Sequence, residues 1–107
     1  MTILCFMDIA TAHLRDRDVT LLANGRSPIE CSRTKFSYIV STAPYIEADG
    51  RAGRLDLLRS NGMSECFVAA VRKAAENGCW LLRFEQEADV DEELELGWDL
   101  DHPEEPE

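Results

Sequence analysis

The sequence predicts a single small α/β (α+β) domain with the element order β-α-β-α-β-β, a mixed sheet with helices packed on it. Three observations lead there. Apolar runs too short for helices recur along the chain, one later segment carries a clear helical stripe, and 107 residues at 45% hydrophobic content bury one core but not two. The folded unit is expected to span 1–101, with 102–107 (His-Pro-Glu-Glu-Pro-Glu) a disordered acidic tail that has nothing to bury.

Ile3 to Ile9 is an apolar run broken only by Asp8, which suits a buried strand. Leu14, Val19, Leu21 and Leu22 then surround a charged Arg15-Asp16-Arg17-Asp18 stretch, and Asn24-Gly25 supplies a stop. A short helix is predicted over 15–23. Phe36 to Thr42 is rich in β-branched and aromatic residues and is closed by Pro44, which makes it the second strand. Glu47 to Gly62 reads as a connection, because Ala48-Asp49-Gly50 and Asn61-Gly62 are turn signals. From Ser64, a capping residue, Phe67, Val68, Val71, Ala74 and Ala75 share one helical face, and Asn77-Gly78 ends the helix. Cys79 to Phe84 is a third strand. Leu94, Leu96, Trp98 and Leu100 alternate with Glu95, Gly97, Asp99 and Asp101, which predicts a fourth strand pairing antiparallel with the third.

Charge is segregated along the chain. Glu85 to Glu107 holds 12 acids and no Lys or Arg, while residues 1–84 hold the other 9 acids against all 11 basic residues, so a body of +2 carries a tail of −12 within a net charge of −10. On the predicted strand, carboxylates at alternate positions recur about every 6.8 Å, from a rise of about 3.4 Å per residue, near two phosphate steps of one DNA strand. Such a ladder would compete for a basic groove.

Other classes fit the sequence less well. No stretch approaches the roughly 18 apolar residues of a membrane span, and MTILCFMDIA lacks the basic start and cleavage site of a signal peptide, so a cytoplasmic protein is expected. Cys5, Cys31, Cys66 and Cys79 form no Cys-x-x-Cys and are expected to be ordinary free thiols. No metal and no cofactor are expected: Asp89, Asp91, Glu93 and Glu95 alternate, but the 85–95 run lacks the Gly-bearing turn of a calcium loop, and His102 stands apart. Direct nucleic-acid binding is disfavoured by scattered basic residues and negative charge. Catalysis would rest on Asp8, at the carboxyl end of the first strand, orienting His13 as a base, with Thr11 nearby. The competing reading has Asp8 or Thr11 bonding orphan amides at the first helix, and His13 packed with a ring nitrogen on a backbone group.

Phe6-Met7-Asp8-Ile9-Ala10-Thr11-Ala12-His13-Leu14 resembles the opening of a group of short bacterial domains of unknown function, which begin with an aliphatic strand followed by Asp-Leu/Ile-Ser-Thr-Ala-His-Leu. Ala74 to Phe84 is similar to that group's helix, Gly-Cys turn and following strand. Where the group continues with a short Phe-Asp-x-Asp turn, this chain has Phe84-Glu85-Gln86-Glu87-Ala88-Asp89 and a more acidic extension. The resemblance implies an origin in plasmids, prophages or other mobile elements, near genes that blunt host defences. It implies no activity.

Together these readings predict a non-enzymatic acidic inhibitor. It would bind a basic protein surface of a nucleic-acid-binding bacterial defence complex, a CRISPR effector or a restriction enzyme, through Glu85, Glu87, Asp89, Asp91, Glu92, Glu93, Glu95, Asp99 and Asp101. The alternatives are a small enzyme using Asp8 and His13, and an antitoxin-like protein covering a toxin's basic site. The sequence sets no oligomeric state.

Overall fold

The structure, a computed structural model, describes residues 5–34 and 37–101. Four strands form one mixed sheet in the order β1-β4-β3-β2, with β1 at Cys5–Ala10, β2 at Cys31–Arg33, β3 at Ser37–Ser41 and β4 at Cys79–Glu85. β4 is central on one side of the sheet, parallel to β1 and antiparallel to β3. The helices are α1 (Asp16–Ala23), α2 (Arg51–Ser60), α3 (Glu65–Glu76) and α4 (Gly97–Asp101), and single helical turns occupy Thr11–His13 and Ala43–Tyr45. The α+β class, the mixed sheet and the small compact unit agree with the sequence.

Side chains on β4 explain the layering. Leu82 and Phe84 are fully buried beneath α3, where Phe67 stacks on Phe84 with ring centroids 5.7 Å apart. The intervening Leu81 and Arg83 face the other way, and on that face Phe6 of β1 pairs in register with Leu81, and Asp8 with Arg83. There Phe6 and Leu81 are exposed by 57% and 42%. β1 is an edge strand with its Phe6 open to solvent, a correction to the buried strand expected over Ile3–Ile9. Of that run, residues 3 and 4 lie outside the described residues, as does Phe36 of the second predicted strand.

α3 follows its sequence signals closely. The Ser64 hydroxyl accepts the Phe67 N–H at 3.2 Å, seven residues of the stripe are buried, and Gly78 leaves the helix at φ +73°, a conformation that asparagine or glycine tolerates best. α2 was expected to be a connection. Its Leu55 and Leu58 are three apart and both buried, whereas Leu57 is exposed. Gly50, at its left-handed N-cap, and Gly53 within it disguise a helix as a loop.

The fourth strand of the sheet is β2, whose three residues pair with β3. Segment 94–100 is not a strand. It runs as turns into α4, with Leu94 and Leu96 half-buried and Trp98 and Leu100 exposed. The Glu95 carbonyl is met by His13, and Asp101, the last residue of α4, by Arg15 and Asp16, rather than by a sheet edge. Gly97 marks the closest approach, since a Cβ there would stand 2.7 Å from the Leu14 carbonyl carbon and 2.8 Å from the Arg15 nitrogen. The 6.8 Å carboxylate ladder goes with the strand. The predicted tail at 102–107 lies outside the described residues.

Candidate protein-binding face

His13 organises the acidic segment from beneath. Its side chain is fully buried at the end of the turn that follows β1. Nε2 lies 2.9 Å from the Asp91 amide nitrogen and accepts its N–H; that leaves Nδ1 as the protonated nitrogen, donating to the Glu95 carbonyl at 3.0 Å. One neutral imidazole thereby fixes both ends of the 91–95 turn. A third main-chain tie runs from the Ala10 N–H to the Asp89 carbonyl, 3.1 Å.

Three ion pairs, made by Lys73 and Arg15, complete the attachment. Lys73 of α3 reaches Asp91 at 2.6 Å and Glu93 at 2.9 Å, and Asp91 also accepts the Glu93 N–H at 3.0 Å. The Lys73 ammonium holds the Asp91 carboxyl below the usual carboxylate range, and these hydrogen bonds raise Lys73 in turn. Arg15 donates to Oδ1 of Asp101 from Nε at 3.1 Å and from the terminal nitrogen at 2.6 Å, while Oδ2 of Asp101 accepts the Asp16 N–H at 2.8 Å. α4 is thus bolted across the first amide of α1, where a negative charge is favoured.

Asp18 supplies the hidden support. It is fully buried on α1 and accepts the Arg15 N–H at 2.9 Å, the Ser64 N–H at 2.7 Å and the Ser64 hydroxyl. One carboxylate therefore closes the first turn of α1 and orients the cap of α3. The sequence showed Asp18 only as one member of the charged Arg15-Asp16-Arg17-Asp18 stretch of the predicted helix. The one signal was its position three residues after Arg15, where a helix accepts an acid.

Asp8 and His13 have different hydrogen-bond partners. Asp8 takes two hydrogen bonds from Arg83 on the neighbouring strand, at 3.1 and 2.7 Å, and the guanidinium lies 5.7 Å from the centre of the Phe6 ring. His13 is packed with both ring nitrogens on backbone groups, the geometry of the competing reading. All four cysteines are free thiols, and burial raises Cys31, Cys66 and Cys79 above their ordinary range.

Residues 6–98 match the C-terminal domain of a family of unknown function, DUF5983. The chain belongs to the DUF5983 family. No curated protein and no solved structure matches it. In this DUF5983 domain the nine predicted acids divide by role. Asp91 and Asp101 are half-buried attachments, and Glu85, at the end of β4, lies 3.6 Å from Arg83. Glu87, Asp89, Glu92, Glu93, Glu95 and Asp99 are exposed, and of these Glu93 pairs with Lys73 while Glu87, Asp89, Glu92, Glu95 and Asp99 make no ion pair among the described residues. Val90, Trp98 and Leu100 of the same segment are exposed as well, by 48%, 52% and 44%. Sequence reading missed these apolar members because it turned Trp98 and Leu100 inward. No helix among the described residues of the DUF5983 domain is long and apolar enough to cross a membrane.

Proposed function

We propose that this domain is an acidic inhibitor that docks on a basic surface of a nucleic-acid-handling protein and blocks it. The setting we favour is a mobile element acting against a bacterial defence complex, a CRISPR effector or a restriction enzyme. One observation carries the reading: an ordered acidic segment presents exposed carboxylates together with exposed Val90, Trp98 and Leu100. A solubilising tail needs neither order nor a half-exposed tryptophan. Interfaces are enriched in aromatic anchors, and a segment already held by His13, Lys73 and Arg15 loses little further freedom on binding. The carboxylates steer encounter with a basic partner and set its specificity.

The test is carried out in cells. Bacteria with an active CRISPR or restriction system and expressing the wild-type chain should admit phage that control cells exclude. A variant combining Glu87→Gln, Asp89→Asn, Glu92→Gln and Asp99→Asn should lose that protection while melting as the wild type does. Equal protection by both proteins would remove the acidic face from the function, and absence of protection by the wild type across such systems would remove the defence setting.

A further inference from the structure

We propose that β1 pairs antiparallel with β1 of a second copy of this chain, joining two sheets into one across a two-fold axis at Met7. β1 is an edge strand, and alternation along it turns the main-chain groups of every second residue away from β4. Ala10 shows which residues those are, because its N–H leaves the sheet for the Asp89 carbonyl at 3.1 Å. Phe6 and Asp8 are in phase with Ala10, since the register shift against β4 lies before Phe6. Their N–H and C=O groups therefore point outward, and none of them is paired there among the described residues. Such a row of open donors and acceptors is a template for another strand.

Charge selects the occupant and its register. With the axis at Met7, Phe6 of each copy stands opposite Asp8 of the other, as a pair that exchanges both main-chain hydrogen bonds. Each Asp8 carboxylate then approaches a ring that already carries the Arg83 guanidinium 5.7 Å from its centre, so acid meets cation twice across the axis. Moving the axis to Asp8 would set the two carboxylates against each other and Phe6 against Ala10, whose N–H is already taken. Moving it to Phe6 would carry each Asp8 beyond the other copy's Phe6, away from that cation. Exposed Phe6 loses water as the strands close. Antiparallel docking also keeps like charge apart. The joint lies within residues 1–84, which sum to +2, and the acidic segments, which follow the carboxyl end of β4, parallel to β1, fall at opposite ends of the pair.

Analytical ultracentrifugation of the full chain from about 5 μM to about 1 mM should show a reversible monomer–dimer equilibrium, a span that covers micromolar to millimolar dissociation constants. Phe6→Asp sets an acid opposite each Asp8 and should weaken the dimer by about tenfold or more while its monomer melts as the wild type does. Should Phe6→Asp unfold, a cysteine on the axis decides. Met7→Cys in a Cys5→Ser background brings one thiol from each copy face to face, at the Cα separation of about 4.5 Å of a non-hydrogen-bonded pair, and mild oxidation should join the copies covalently. Cross-linking through Cys5 of the wild type with none through Met7→Cys would overturn the register and the charge argument with it. A folded Phe6→Asp variant that dimerises unchanged would overturn the β1 joint. A wild type that stays monomeric over the whole range would overturn the second copy and leave the edge to a strand of another protein.

Discussion

The Asp91 amide donates to Nε2 of His13 across 2.9 Å, although the two residues stand 78 positions apart. The same ring donates to Glu95. A histidine that begins the chain's first crossover is therefore the main-chain anchor of its acidic segment.

His13→Ala should leave the Asp91 N–H and the Glu95 carbonyl without their partner and open a small void. A loss of about 2–4 kcal/mol is expected from two broken buried hydrogen bonds and the lost packing. Urea denaturation reads the stability, and hydrogen exchange should show amides 91–95 losing protection before the sheet does. Unchanged exchange at those amides would mean the imidazole does not hold the segment.

Asp18→Ala should strand three donors at once, two amides and the Ser64 hydroxyl. The expected cost is about 3–5 kcal/mol, as for removing one side of a buried polar network. Ser64→Ala should cost less in its own cap, about 1 kcal/mol, but also leaves Asp18 short of a donor. A double-mutant cycle on the pair should show strong coupling. Additive effects would contradict the shared network.

Acid stability should depend on Asp91. Lys73 lowers its folded-state pKa, so the stabilisation is fully present above the unfolded value, about 3.9, and is lost as pH falls through the folded value. Between about pH 5 and pH 2 the urea midpoint of the wild type should fall further than that of Asp91→Asn. Lys73 has the opposite sign: its raised pKa contributes below the unfolded value of about 10.4 and stops contributing as pH rises through the folded one. Parallel acid limbs for the two proteins would deny the ion pair a role.

Gly97 and Trp98 should respond in opposite proportion to their size. Gly97→Ala drives a methyl against the Leu14–Arg15 backbone, an overpacking cost of about 1–3 kcal/mol. Trp98→Ala removes a half-exposed ring and should cost about 1 kcal/mol or less. The two melting curves decide it, and a larger loss at Trp98 would restore the inward-facing strand.

The legible parts of the fold were those where a local signal and tertiary packing agree. The α3 stripe from Ser64 to Asn77-Gly78 and the β4 run from Cys79 both stand as the sequence reads. α2 was hidden because Gly50 and Gly53 weigh as turn residues locally, while Leu55 and Leu58 gain their burial only from contacts distant in sequence. Leu94 to Leu100 shows the reverse failure: period-two alternation there meets no strand, since β1 lies alongside β4, and Glu95 and the following Asp101 are held instead by His13, Arg15 and Asp16. Of the candidate face, the acids were visible as composition. Their division into attachments and exposed groups depended on where Lys73 and Arg15 fall in space.

The pairing of β1 with β4 also fixes when this protein becomes whole. The contacts that seat the first strand reach across most of the chain, as between Asp8 and Arg83, 75 positions apart. During synthesis β1 therefore waits, its neighbour β4 not yet made, while β3 and the helices that precede β4 are already able to collapse. Closing so long a loop is entropically slow and leaves an unmatched edge open to other chains in the interval. The acidic segment follows β4 in the chain and meets His13 beside the docked first strand, so the proposed binding face exists only on a molecule whose sheet is complete.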